Sequence, residues 1–147
     1  MPTPFGHGLA ALALAALVGL DEPADLASFI GGALAPDGDL VAGLVLRGDP
    51  MELHRRFGSH SPLALGLAAV GAAALTRGRA RSATLAAVGA ALHLAMDSLP
   101  WVYMKAQSTA ARGWPQFVRS VIVNSAFDIA VLGPFAYAAW RWCRNRR

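Results

Sequence analysis

The chain carries only four histidines, and two of them fall in one short run, His54-Arg55-Arg56-Phe57-Gly58-Ser59-His60, directly ahead of an apolar stretch. His93 and Asp97 stand four residues apart, which on a helix places them on one face, one turn apart. An imidazole nitrogen and a carboxylate oxygen so placed can hold zinc or manganese. A plain His–Asp hydrogen bond inside a helical bundle explains the pair equally simply. Asp37 and Asp39 flank Gly38 just after Pro36, at the expected end of an apolar helix. A helix C-terminus carries partial negative charge, so two carboxylates there call for a nearby cation unless they form a solvated cap. His54 and His60 share a loop containing Gly58 that can turn both imidazoles inward, with Ser59 and Ser61 placed to support a ligand or substrate; two surface histidines are the simpler alternative. Arg55 and Arg56 match a phosphate bidentately, or anchor the chain at the membrane interface. His7 lies between Gly6 and Gly8 where the first apolar run begins. Asp128 sits deep in the last apolar run, where an ionisable group is a functional candidate by default. A hydrogen bond to a neighbouring helix, such as to Asn124, or a salt bridge to an arginine accounts for it better.

The elements that must position these residues follow from composition. Of the 147 residues, 55% are apolar and 15% charged, against about 25% charged in soluble domains. The excess of Ala, Leu, Gly and Val fits helices that pack closely in lipid. The single cysteine, Cys143, excludes an intramolecular disulfide and a cysteine-based zinc site. No period-2 alternation indicates strands. The expectation is an all-α, single-domain membrane bundle of four to five helices over residues 1–147.

Phe5 to Leu20 is expected to be a retained first helix, since it lacks the positive n-region of a signal peptide. Asp21 to Asp25 reads as a polar turn, with Pro23 opening the next helix. Leu26 to Ala35 is apolar and stops at Pro36. Ten residues of helix span only about 15 Å, so this segment must be extended by its flanks or be re-entrant. Leu40 to Leu46 is a further short apolar piece, suited to the interface. Arg47 to Ser61 is a polar connector, Pro62 to Leu75 a third long apolar segment, and Ser82 to Leu99 a fourth that stops at Pro100. Trp101 and Tyr103 suit the membrane interface. Lys105 to Arg119 reads as a polar loop and Ser120 to Trp142 as the last span.

Alternating these segments across a bilayer puts His7, Asp37, Asp39, His54, His60, His93 and Asp97 at one membrane face, and the Asp21–Asp25 and Arg77–Arg81 turns and the C-terminus at the other. Seven of the thirteen basic residues fall within Arg77–Arg81 and Arg141–Arg147. Arginines clustered at the ends of apolar runs mark the cytoplasmic side. The C-terminus is therefore expected inside and the polar cluster at the extracytoplasmic face. A basic tail also serves nucleic-acid binding; beside an apolar run it points to lipid instead, and no nucleic-acid partner is expected.

At these residues the chain resembles the YdjM-type family of inner-membrane proteins, which are grouped as metal-dependent hydrolases and look like a reduced membrane relative of the zinc phospholipase C/P1 nuclease superfamily. The matching pieces are His7, the Pro36-Asp37-Gly38-Asp39 block, the His54 to Ser61 block and the His93–Asp97 pair, covering roughly residues 5 to 100. The family's loop reads His-Arg-Gly-x-Thr-His-Ser. Aligned on His60, Arg56 takes the arginine, Phe57 the glycine and Ser59 the threonine, while His54 falls one residue early. The resemblance implies a dinuclear or trinuclear metal site, zinc or manganese, and phosphoester hydrolysis. His7, Asp37, Asp39, His60, His93 and Asp97 are then the expected ligands. His54 is a ligand or the acid/base for the leaving group, and Arg55 and Arg56 steer the phosphate of a lipid or lipid-linked substrate. The rival expectation is a non-catalytic bundle: a metal-binding or metal-transport protein, or a scaffold with a structural polar cluster.

Overall fold

Proline and hydroxyl residues set where the helices begin. Pro4, Pro23 and Pro62 each open a helix, where the missing N–H would have had no partner. Thr3 and Ser61 cap two of these starts, their hydroxyls accepting from the Gly6 and Leu63 amides at 3.4 and 3.3 Å. The computed structural model describes residues 3–49, 53, 59–98 and 114–145, and among them every regular element is helical. The helices are α1 (Pro4–Leu17), α2 (Pro23–Leu34), α3 (Gly38–Arg47), α4 (Pro62–Leu75), α5 (Ala80–Ser98) and α6 (Trp114–Arg144).

Two boundaries differ from those expected. The apolar pieces on either side of Pro36 are not separate. A single 3-10 turn, Ala35–Asp37, joins α2 to α3 in one continuous helical path, Pro23–Arg47. Proline forbids one α-type hydrogen bond but is tolerated in a tighter turn, so the path narrows without breaking. The last helix begins at Trp114, inside the stretch expected to be polar loop, because Pro115 falls in its first turn where its lack of an N–H is harmless. Trp101 and Tyr103 lie outside the described residues.

α2 is the centre of the bundle, packed on α5 and touching α1 and α4, while α6 lies against α1. α2 and α5 run parallel: Asp25 pairs with Arg81 near their starts at 2.6 Å, and the Ala33 carbonyl meets His93 near their ends. Backbones touch between them. A Cβ on Gly32 would fall 2.0 Å from the Ala86 carbonyl oxygen, and one on Gly89 2.1 Å from that of Phe29. The core is otherwise alanine-rich, with Ala11, Ala15 and Ala33 around Phe29 and with Ala68, Ala86 and Ala90 beyond. This is the small-residue packing of helices that associate in lipid.

At the end away from Pro36, the two turns rich in charge meet. Arg79 forks onto Glu22 with both contacts at 2.8 Å, which holds the Glu22 carboxyl below its ordinary range and raises the Arg79 guanidinium. Asp25, expected in a surface turn, is instead fully buried under Arg81. The outside is apolar: Leu75 is 88% exposed, Val45 74% and Phe135 68%. Two stretches, Pro23–Arg47 and Val121–Trp142, are long and apolar enough to cross a membrane.

Candidate metal centre

Four separate elements bring their polar residues to the Pro36 end of the bundle. His7 lies in the first turns of α1. Asp37 closes the 3-10 turn and Asp39 opens α3. His60 directly precedes the Ser61 cap of α4, and His93 and Asp97 occupy the last turns of α5. All six residues expected as ligands are thus brought together. His7 and His93 are fully buried, and Asp37, Asp39 and Asp97 are 7–8% exposed. His54, Arg55 and Arg56 lie outside the described residues.

The 3-10 turn explains how both aspartates reach one imidazole. Residues two apart do not share a face of a regular α-helix. With the path tightened at Pro36, Asp37 Oδ1 lies 3.7 Å from His60 Nε2 while Asp39 Oδ2 lies 3.6 Å from His60 Nδ1. The sequence argument that these carboxylates oppose a helix C-terminus does not survive. The helical path runs on through Ala35–Asp37 into α3, so no free helix C-terminus faces them.

Hydrogen bonds fix the ring tautomers. A carbonyl only accepts, so the 2.7 Å contact between His93 Nδ1 and the Ala33 carbonyl places the hydrogen on Nδ1. The Ser59 hydroxyl donates to Asp39 Oδ2 at 2.5 Å, so its oxygen accepts from His60 Nδ1 at 3.1 Å. Both Nε2 atoms then carry lone pairs, and they face each other at 3.3 Å. Asp97 Oδ2 lies 3.5 Å from the His60 Nε2 and 3.8 Å from the His93 Nε2, and Asp37 Oδ1 lies 3.7 and 3.8 Å from the same two atoms. With both rings neutral, four acceptors converge here with no hydrogen among them. Buried acceptors in this arrangement repel unless a cation or added protons lie between them.

The spacing suits a metal ion. Two ligands each ~2.1 Å from a tetrahedral ion lie ~3.4 Å apart, close to the 3.3–3.8 Å separations among these four atoms. A second donor set overlaps the first: His7, Asp37 and His93 offer ligand atoms within 4.8 Å of one another, as do His60, His93 and Asp97. Asp97 joins the two, because its other oxygen, Oδ1, lies 3.3 Å from His7 Nε2. The His7 and His93 rings stack at 3.6 Å between centroids. His7 Nδ1 and Asp37 Oδ2 are buried without a hydrogen-bond partner among the described residues.

One supporting group escaped the sequence reading, and another was read by type but not by partner. The Ala33 carbonyl that orients His93 is backbone, and no side-chain pattern announces it. Asp128 does bond a neighbouring helix, through Thr3. The Thr3 amide and hydroxyl both donate to its Oδ2 at 2.7 Å, and the Ser125 hydroxyl donates to Thr3 Oγ1 at 3.3 Å. This clamp fixes the start of α1 one turn before His7. That Thr3 answers Asp128 across 125 residues is not encoded in spacing along the chain.

Neither the curated proteins nor the solved structures contain a match to the chain. The family model described as YdjM inner membrane protein matches residues 1–142, a span that includes the whole His/Asp cluster and both long apolar helices. By that match, and with its buried His/Asp cluster in an all-helical bundle, the chain belongs to the YdjM inner membrane protein family.

Proposed function

We propose that this protein is a multi-pass, membrane-bound, metal-dependent hydrolase acting on a phosphate ester of a lipid or lipid-linked substrate. The observation that carries the reading is the convergence of His60 Nε2, His93 Nε2, Asp37 Oδ1 and Asp97 Oδ2 at ligand spacing, with His7 reaching the far oxygen of Asp97. Nitrogen and oxygen donors of this kind suit zinc, with manganese the alternative. A divalent ion held there lowers the pKa of a water it binds and offsets charge on phosphoryl oxygens.

The remaining roles belong to the chain. His93 is held ligand-ready by the Ala33 carbonyl, and His60 by Ser59 and Asp39. In this arrangement Asp39 orients His60 from the side opposite the other donors. His54 stands six residues before His60 and serves as a further ligand or as the acid for the leaving group. Arg55 and Arg56 steer the phosphate. A phosphoester as the bond cleaved is what the resemblance of the His7, Asp37-Gly38-Asp39, His60 and His93–Asp97 motifs to the zinc phospholipase C/P1 nuclease superfamily implies. The site faces the extracytoplasmic side, with the C-terminus in the cytoplasm.

A second reading rests on the complete burial of His7 and His93, since closed sites are commonly structural. In that case the bundle binds or passes a metal without turnover, or the cluster is held by protons alone. Elemental analysis of detergent-purified protein beside a His93→Ala variant decides the first point. The wild type should retain zinc or manganese and the variant should lose most of it; equal content rules His93 out as a ligand. Release of phosphate or a phospho-headgroup from lipid phosphate esters by the metal-loaded wild type then separates hydrolase from binder.

A further inference from the structure

An apolar groove of about 440 Å³ runs between α2 and α4 and reaches Pro36 and Ser59, the sequence neighbours of Asp37 and His60. It continues along the bundle to Ala24 on α2 and to Leu75 and Thr76 at the end of α4. Its length follows from the helices that form it. From Ala24 to Ala35, or from Ala64 to Leu75, is about 17 Å of helix. One chain of a membrane lipid spans half of a hydrocarbon core of about 30 Å.

The lining has no use for a polar occupant. Its three hydroxyls are already committed: Ser28 donates to the Ala24 carbonyl at 2.7 Å, Thr76 to the Ala72 carbonyl at 2.6 Å, and Ser59 to Asp39. Among the described residues no charged side chain lines it. Two glycines keep it open, because a Cβ on Gly31 or Gly71 would meet nothing within 4 Å. Leu67 and Leu75 form an exposed lip, at 60% and 88%.

We propose that this groove holds one hydrocarbon chain of the lipid substrate, acyl or isoprenoid, with the phosphate at the His/Asp cluster. The proposal rests on the hydrolase reading for the phosphate but not for the chain. The groove supplies a hydrophobic match along the chain and none for the headgroup, so it selects lipid-anchored esters over soluble ones. Gly31 and Gly71 are its width-setting residues.

The test uses the full chain in detergent with phosphatidic acid carrying a diazirine at the end of one acyl chain. After irradiation, label should concentrate on the facing residues of α2 and α4. The Gly31→Leu/Gly71→Leu double variant should lower that label at least fivefold while metal content and thermal unfolding stay unchanged. Competition by unlabelled polyprenyl phosphate, set against unlabelled phosphatidic acid, tells which chain the groove prefers. Label spread evenly over outward positions such as Leu63 and Val70, and unmoved by the double variant, overturns the proposal. So does a dimer cross-linked through α2 and α4 with the groove unlabelled. Should the double variant unfold, the map of label on the wild type decides alone. Groove labelling of metal-free protein sustains the chain site while the hydrolase reading falls; bound metal without groove labelling has the opposite meaning.

Discussion

Asp97 is shared between both donor sets, Oδ1 facing His7 and Oδ2 facing His60 and His93. Asp97→Asn keeps the shape but removes the charge and replaces one acceptor by a donor. Metal retention should fall at least as far as in His93→Ala, measured by elemental analysis after dialysis against a chelator. Ser59 acts one step out, relaying between Asp39 and His60. Removing a group that orients a ligand typically weakens metal affinity ~10–100-fold. Ser59→Ala should therefore weaken zinc binding by that factor while still filling at saturating zinc. Asp128→Ala leaves the buried Thr3 amide and hydroxyl without their acceptor. The expected cost is about 1–3 kcal/mol, seen as a lower unfolding temperature in detergent that saturating metal does not restore.

Among the elements, the α2–α5 contact positions His93 against Ala33 and carries Asp97 to Asp37. It depends on glycine because backbone meets backbone. Gly32→Ala or Gly89→Ala would drive a methyl onto a carbonyl oxygen at 2.0 or 2.1 Å, and a helix cannot yield as a flexible side chain does. Overpacking of this kind costs about 1–3 kcal/mol or more, and both variants should unfold earlier and lose metal together. Gly66→Ala is the control: nothing lies within 4 Å, and alanine is the better helix former by up to about 1 kcal/mol, so its thermal unfolding should match or exceed the wild type. At the far end, Arg79 holds Glu22 below the ordinary carboxylate range. A depressed carboxyl contributes stability that is present above its unfolded pKa and lost as pH falls through the lowered folded value. The wild type should thus exceed Arg79→Gln in unfolding temperature by a small margin near neutrality, and the margin should vanish at acid pH. Solvent screening of this exposed pair keeps the margin small.

At the scale of the whole molecule, the cluster and the charged turns lie at opposite ends of the bundle. Asp37, His60, His93 and Asp97 gather at one end, while Glu22 with Arg79 and Asp25 with Arg81 close the other. α6 shares this polarity. Thr3 is pinned at Asp128, and α6 packs against α1. The basic tail is expected on the side of the arginine turn. Such arginines resist translocation, so a reporter fused after Arg147 should be active in the cytoplasm. Activity only outside would reverse the orientation and place the cluster on the cytoplasmic leaflet, with its geometry unchanged.

By itself the sequence determined the all-helical class, a bundle of four to five helices and the common end of six polar residues. Apolar runs bounded by proline and arginine leave helices in lipid as the economical solution, and strict alternation of those runs sends His7, Asp37, Asp39, His60, His93 and Asp97 to one end. Hydropathy carries that information because it is a property of segments. What each residue does within the end was decided by the tertiary structure. The Pro36 turn swings Asp37 and Asp39 to opposite sides of one imidazole, the Ala33 carbonyl selects the His93 tautomer, and Thr3 donates to Asp128 through both its amide and its hydroxyl. Each depends on backbone geometry or on a partner more than 15 residues away, which spacing along the chain does not encode. The groove beside the cluster is of the same kind. Gly31 and Gly71 are unremarked small residues in apolar runs until packing sets both in the lining of one groove.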